Sequence, residues 1–175
     1  MQKLSRNFNI QDNKNAFTVA VAIALLLASV LLVTYVVLLQ PEPDEYITLN
    51  LLDSNKKAVD YPEVLVANVS STFSVYVNVE NHLGEPLNET QVLVKVAQNA
   101  NPTFPMDANV TQTLTTKALQ NGEATSEIAT VSLNQPGDYL VAFELWIPNK
   151  ETGVFEFSEK VCVLNVQVTA ENSAA

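Results

Sequence analysis

Residue types that commonly build catalytic sites are scarce in this chain. Its 175 residues include one cysteine, one histidine and four glycines. Cys162 cannot form an intrachain disulfide, and its apolar neighbours indicate a small buried side chain. His82 adjoins a glycine turn, where a loop residue is expected more than a ligand. Because the motifs of serine hydrolases, phosphate-binding loops, zinc proteases and dithiol sites are absent, we predict no enzyme, no cofactor and no metal.

Positive charge is scarce as well. Nine Lys and Arg stand against nineteen Asp and Glu, which gives a net charge of −10. Neutralising phosphates requires clustered basic side chains, so we expect no binding to nucleic acid. Asp53, Asp60 and Glu63 bracket one loop and could meet a calcium ion. We favour the other interpretation, a solvated acidic loop without a metal ion.

One long stretch carries no charge at all. Residues 16–39 would span roughly 36 Å as a helix, and the hydrocarbon core of a bilayer is about 30 Å thick. The stretch is longer than the core of a secretory signal, about 7–15 residues, and it lacks the polar face of a soluble core helix. We therefore predict a retained transmembrane helix embedded in the lipid bilayer, with a cleaved signal as the alternative.

Charges on either side of this stretch predict its orientation. Basic residues precede it, at Lys3, Arg6 and Lys14, and acidic residues follow it, at Glu42, Asp44 and Glu45. Because positive charge stays in the cytoplasm, residues 1–15 are expected inside and the long C-terminal part outside. Pro41 and Pro43 end the helix and stiffen a stalk over residues 40–45. The predicted localisation is the cell membrane, crossed once.

Beyond residue 45 the hydrophobic pattern changes to alternation with period two. The clearest runs occupy residues 73–79, 92–96, 139–147 and 162–168. Weaker runs occupy residues 46–52, 63–69, 112–117 and 126–133. Seven or eight short strands without a helical pattern predict an all-β, immunoglobulin-like β-sandwich over residues 46–170, followed by a frayed tail over 171–175. A small β-barrel is the alternative.

The alternation also predicts which side chains face the core. Val77 and Phe143 lie on the apolar side of their strands. Ser74 and Glu144 lie on the opposite parity, so we expect both to face solvent and to tolerate charge.

Three sequons of the Asn-x-Ser/Thr type begin at Asn68, Asn88 and Asn109. All three lie in the predicted outer part, which agrees with the orientation argument. They predict a surface glycoprotein, provided that the host performs this modification.

The stretch Lys57-Ala58-Val59-Asp60-Tyr61-Pro62, followed by a strand and Asn81-His82-Leu83, resembles archaeal proteins that carry the domain of unknown function 1616. A looser match runs from Pro136-Gly137-Asp138-Tyr139 to Val168. Lys56 replaces a usual glycine and Leu83 a usual glutamate, and longer members have several membrane helices. The resemblance implies an archaeal envelope protein with a β-rich outer domain and no known activity.

Two functions fit these features. The first is a non-catalytic envelope module that binds or scaffolds another protein, such as an S-layer protein, a membrane subunit or a surface filament. Trp146 and Ile147 are a candidate contact, although Trp146 could instead pack on the second face of its strand. The second function is a pilin-like filament subunit whose helix lies in the filament core. Lys14-Asn15-Ala16 is a poor processing site for such a subunit, because a small residue usually follows the basic one directly.

The first prediction concerns the membrane segment. If residues 16–39 form a retained transmembrane helix, alkaline carbonate extraction will leave the full-length protein in the membrane pellet, because the helix remains in hydrocarbon. Release of a shorter protein that lacks its first forty or so residues would show a cleaved signal instead.

Overall fold

The computed structural model describes residues 10–38, 45–98, 101 and 103–171, with helix side chains from residue 17 onward. These residues contain one helix and eight strands: α1 (Ile10–Leu38), β1 (Tyr46–Leu52), β2 (Val64–Val66), β3 (Thr72–His82), β4 (Gln91–Gln98), β5 (Val110–Thr115), β6 (Ala124–Ser132), β7 (Gly137–Pro148) and β8 (Phe155–Thr169). The chain divides into two units, Met1–Pro43 and Asp44–Ala175. The predictions for residues 1–9, 39–44 and 172–175 lie outside the described residues.

The helix α1 begins ahead of the predicted position 16, and its apolar part is Phe17–Leu38, with a mean hydropathy of 2.8. The side chains of this part are exposed on every side. Ser29 and Thr34 donate their hydroxyl groups to main-chain oxygens one turn back, at 2.8 Å each, so both are satisfied within the helix. By length and composition the helix could cross a membrane as an anchor, and a signal sequence passes the same test.

The strands form two sheets. One has the order β1-β3-β6 and the other the order β2-β8-β7-β4-β5. Neighbouring strands are antiparallel, except that β2 runs parallel to β8. The architecture confirms the predicted β-sandwich behind one apolar helix, and each predicted run contains a strand, although β2 has only three residues.

The main core lies between the inner faces of the two sheets. Val77 of β3 and Phe143 of β7 are 1% and 0% exposed, as their parity predicts. Ser74 points away from the core, is exposed, and shares a hydrogen bond of 2.9 Å with Thr130 on β6. The outer face of the three-stranded sheet is therefore solvated, which accounts for the regular alternation along β3.

The second prediction tests this register with two single variants, each of which places an aspartate on β3, at positions three residues apart. We expect Val77→Asp to abolish folding, because an unpaired buried carboxylate costs several kcal/mol, comparable with the whole stability of a domain, about 5–15 kcal/mol. Ser74→Asp should change stability by about 1 kcal/mol or less. Near-ultraviolet circular dichroism and urea unfolding of the detergent-solubilised protein measure both effects. If Val77→Asp and Ser74→Asp had the same effect on stability, the assigned register would be wrong.

Candidate functional site

Part of the outer face of the five-stranded sheet is covered as well. A second apolar cluster lies there, built from Met106, Leu140 and Ala142, with partly buried residues packed around it. Met106 belongs to residues 103–108, a segment between β4 and β5 that we call the strap. The strap lies over β7 and β4, so the central strand β7 is buried on both faces from Leu140 to Leu145.

A buried ion pair lies beneath the strap. Lys95 of β4 and Glu144 of β7 occupy neighbouring strands, and Lys95 Nζ lies 3.0 Å from Glu144 Oε2. Their side chains are 9% and 0% exposed. The prediction that Glu144 faces solvent is therefore wrong. Its parity does point it away from the main core, but the strap covers that face of the sheet.

The ion pair holds the strap by the main chain of one residue. Lys95 Nζ donates to Met106 O at 2.8 Å, and the Met106 N–H donates to Glu144 Oε1. Among the described residues, no buried side-chain nitrogen or oxygen lacks a partner. Such complete pairing is what allows two charges to remain in an apolar cluster, because an unpaired member would retain its full desolvation cost.

Trp146 extends this site beyond the strap. Its indole Nε1 donates to Glu144 Oε2 at 3.3 Å, and Lys95 Nζ lies 5.7 Å from the ring centroid. The ring also packs against Phe157 of β8, with 5.9 Å between centroids. Trp146 thus packs on the second face of its strand and stays partly exposed, while Ile147 packs against the main core.

The edge strand β1 is bonded to the rest of the domain by side chains. Leu49 O accepts from Cys162 Sγ of β8 at 3.2 Å, and Leu51 O accepts from the Tyr61 hydroxyl at 2.5 Å. Burial raises the pKa of the Cys162 thiol and that of the Tyr61 hydroxyl. Cys162 therefore has a structural environment rather than that of a reactive thiolate.

The opposite edge of this sheet, β6, is also bonded across the sandwich. Gln112 of β5 accepts from the Thr130 N–H at 3.0 Å and donates to Ile128 O at 3.5 Å. Main-chain groups that an added partner strand would need are thus already used along both edges of the three-stranded sheet.

The three predicted glycosylation sites are exposed. Asn68 lies in the turn after β2, whereas Asn88 and Asn109 lie in the loops before β4 and β5. The second sequon differs from the others, because the hydroxyl of Thr90 is buried and bonded to that of Thr116 at 2.9 Å.

His82 takes part in a local contact at the end of β3. Its Nε2 lies 2.7 Å from Glu80 Oε1, and its ring stacks on Tyr46 with 4.5 Å between centroids. The preceding Asn81 is fully buried and donates to Glu85 O and Leu119 O at 2.8 and 3.0 Å. The Asn-His element therefore fixes two loops at one end of the sandwich.

The three acidic residues considered as calcium ligands, Asp53, Asp60 and Glu63, do not form a cluster. Asp53 accepts from the main-chain N–H groups of Lys57 and Asn55 at 2.7 and 2.8 Å, and the bond from Lys57 contributes most to the lowered pKa of Asp53. Asp60 and Glu63 are exposed. In the part of the chain that the structure describes, no three His, Cys, Asp or Glu side chains come together as metal ligands would.

Sequence reasoning missed the ion pair, but a signal for it was present. Glu144 lies in a run where its same-parity neighbours Ala142 and Trp146 are apolar, and Lys95 is likewise flanked by Leu93 and Ala97. Strands that are apolar on both parities are typical of strands covered on both faces. Two opposite charges inside such runs indicate a buried pair.

Solved structures show the same fold. The β domain is similar to the CARDB domain of the PF1109 protein from Pyrococcus furiosus, crystallised in complex with di-metal ions. That match covers 75% of this chain and 100% of that domain, with 17% identity and a TM-score of 0.51. The solution structure of the same domain matches 74% of this chain and 100% of that domain, with 18% identity and a TM-score of 0.50. The β domain therefore resembles a CARDB domain in its fold.

This similarity shows the fold alone, because the identity is low. No protein-family profile matches the chain, and no curated protein sequence matches it. The resemblance to the 1616 domain is therefore not confirmed, whereas a CARDB-like, immunoglobulin-type β domain behind an apolar helix is shown.

The third prediction concerns the ion pair. Lys95→Met should destabilise the protein by about 3–5 kcal/mol, because it leaves Glu144 buried without its cation. The double variant Lys95→Met/Glu144→Leu should lose less stability than the single variant, because it removes the unpaired carboxylate. Urea unfolding, followed by the fluorescence of Trp146, measures both.

Lys150→Met provides the matched control. It breaks the exposed ion pair between Lys150 and Glu85 and should cost about 0–1 kcal/mol. A double variant that is less stable than Lys95→Met would contradict the assigned role of the pair.

Proposed function

We propose that this chain is a membrane-anchored, non-catalytic protein of the cell envelope whose CARDB-like domain binds another envelope protein. The binding surface in this proposal is the outer face of the five-stranded sheet around Trp146. The partly exposed Trp146, packed against Phe157 and held by Glu144, is the observation that carries the proposal.

The helix supports the anchoring part of this proposal. Every described side chain of Phe17–Leu38 is exposed, so the helix needs an apolar environment that the described residues do not supply. In the proposed orientation the β domain lies outside the cytoplasm, and the three exposed asparagines of the sequons are compatible with that side. Anchoring raises the effective concentration of the domain near other membrane proteins.

The surface around Trp146 has the composition of a binding site. Tryptophan is enriched among the residues that dominate binding energy at protein interfaces. The indole is oriented by its bond to Glu144 and by contact with Phe157, so little side-chain entropy is lost on binding. The alternative, a pilin-like subunit, predicts removal of the basic leader, which N-terminal sequencing of the mature protein would detect.

The fourth prediction locates the contact by photo-crosslinking in intact cells. A photoreactive amino acid at position 157 should capture a distinct envelope protein, because this position borders Trp146. The same amino acid at position 76, an aromatic position on the outer face of the three-stranded sheet, should not capture it. Trp146→Ala should reduce capture from position 157 by about tenfold or more.

Tyr76→Ala is the matched aromatic control and should leave the capture from position 157 unchanged. Equal capture from positions 157 and 76, or no capture from position 157, would contradict the proposed surface. Capture that does not depend on Trp146 would contradict the role given to this side chain.

A further inference from the structure

The three sequons differ in how the fold treats the hydroxyl that completes each of them. An enzyme that recognises Asn-x-Ser/Thr must reach both the asparagine amide and the hydroxyl two residues later. All three asparagines are exposed, so their own accessibility does not distinguish the sites. The hydroxyl groups do, because Ser70, Thr90 and Thr111 lie in three different environments.

The hydroxyl of the second sequon is enclosed by the fold. Thr90 is 0% exposed, and its hydroxyl lies 2.9 Å from that of Thr116. The Thr90 N–H donates to Thr116 Oγ1 at 3.1 Å, and the Thr90 carbonyl accepts from the Thr116 N–H at 2.9 Å. Side chain and main chain of Thr90 are thus bonded to one residue. An enzyme can reach this hydroxyl only if the segments before β4 and after β5 separate.

The same two segments are joined a second time. Leu87 and Leu119 exchange two main-chain hydrogen bonds, at 2.8 and 2.9 Å, and both side chains are buried. Asn88 lies between Leu87 and Thr90, so the chain on either side of this asparagine is fixed to the segment after β5. Separation would expose both leucines and leave buried polar groups without partners, which opposes it in the folded domain.

The first sequon is accessible at both of its polar residues. Asn68 and Ser70 are exposed and lie between β2 and β3. In the described part of the chain, Ser70 Oγ accepts from the Val66 N–H at 3.3 Å and donates to no acceptor, so its proton is available to an enzyme. The third sequon is intermediate, because Thr111 is exposed but its hydroxyl donates to Val94 O at 2.9 Å.

We infer that Asn68 is the position at which the folded domain accepts an N-linked glycan, and that Asn88 accepts one only before Thr90 packs against Thr116. In the reaction, the Asn68 amide nitrogen bonds to the anomeric carbon of a lipid phosphate-linked oligosaccharide. The bond from that carbon to the phosphate oxygen breaks, the lipid phosphate leaves with the electron pair, and the amide loses one proton. The inference rests on the proposed function for the side of the membrane at which this donor is met.

The test uses the full-length protein in detergent micelles, with Asn109→Gln so that two sequons are compared. A purified oligosaccharyltransferase and its lipid-linked oligosaccharide are added, and mass spectrometry measures the occupancy of each asparagine over time. We expect modification of Asn68 to be at least about tenfold faster than that of Asn88, because Asn88 requires local opening of the Thr90–Thr116 contact.

Two controls separate accessibility from the intrinsic quality of each sequon. Synthetic peptides with the sequences of residues 64–74 and 84–94 give the rates without a fold, and the enzyme is chosen to modify both. Rates in the protein are divided by these peptide rates. Val77→Asp, which is expected to unfold the domain, should bring the normalised rate at Asn88 up to that of the first sequon.

Equal normalised rates at Asn68 and Asn88 in the folded protein would overturn the inference, as would a folded protein that is not modified at Asn68. Ser70→Ala should abolish modification at Asn68, and modification that persists would also overturn it. These outcomes depend on purified components and leave the proposed function unaffected. If position 157 captures no envelope protein, the proposed function is wrong, whereas the assignment of Asn68 is still decided by the rates.

Discussion

Strand β7 is buried on both faces, and this double coverage constrains the residues around it. Phe143 points into the main core, and the next residue, Glu144, points into the cluster beneath the strap. A carboxylate in that place requires partners on every side, because its unpaired burial would cost several kcal/mol. Lys95, the main chain of Met106 and the indole of Trp146 provide them. The position of the strap and the orientation of Trp146 thus follow from one buried carboxylate.

The same domain closes its sandwich without a disulfide. Cys162 and Tyr61 donate to the main chain of β1, and Gln112 bonds to the main chain of β6. Each bond contributes little by itself, about 0.5–1.5 kcal/mol, but together they occupy main-chain groups at the two edges of the three-stranded sheet. Closing the edges also limits pairing with other chains. The proposed contact lies instead on a sheet face and is made by side chains.

The fold was predictable from the sequence because its signal is local. Alternation with period two located the strands and placed Val77 and Phe143 in the core. It failed for Glu144, because parity determines which face of a sheet a side chain points to and not whether that face is covered. The cover comes from residues 103–108, which have no periodic pattern. The apolar same-parity neighbours of Lys95 and Glu144 were the available sign that this face is covered. Parity analysis of one strand at a time does not reveal that Lys95 and Glu144 contact each other.

The charge balance distinguishes the proposed surface from the rest of the protein. The chain has a net charge of −10, yet Lys95 and Glu144 cancel each other beneath the strap. Binding at Trp146 would therefore depend on apolar burial, with a weak dependence on salt. Like charge over the remaining surface opposes close approach of two copies. For the proposed contact, the charge of the chain thus favours a different protein over a second copy as the partner.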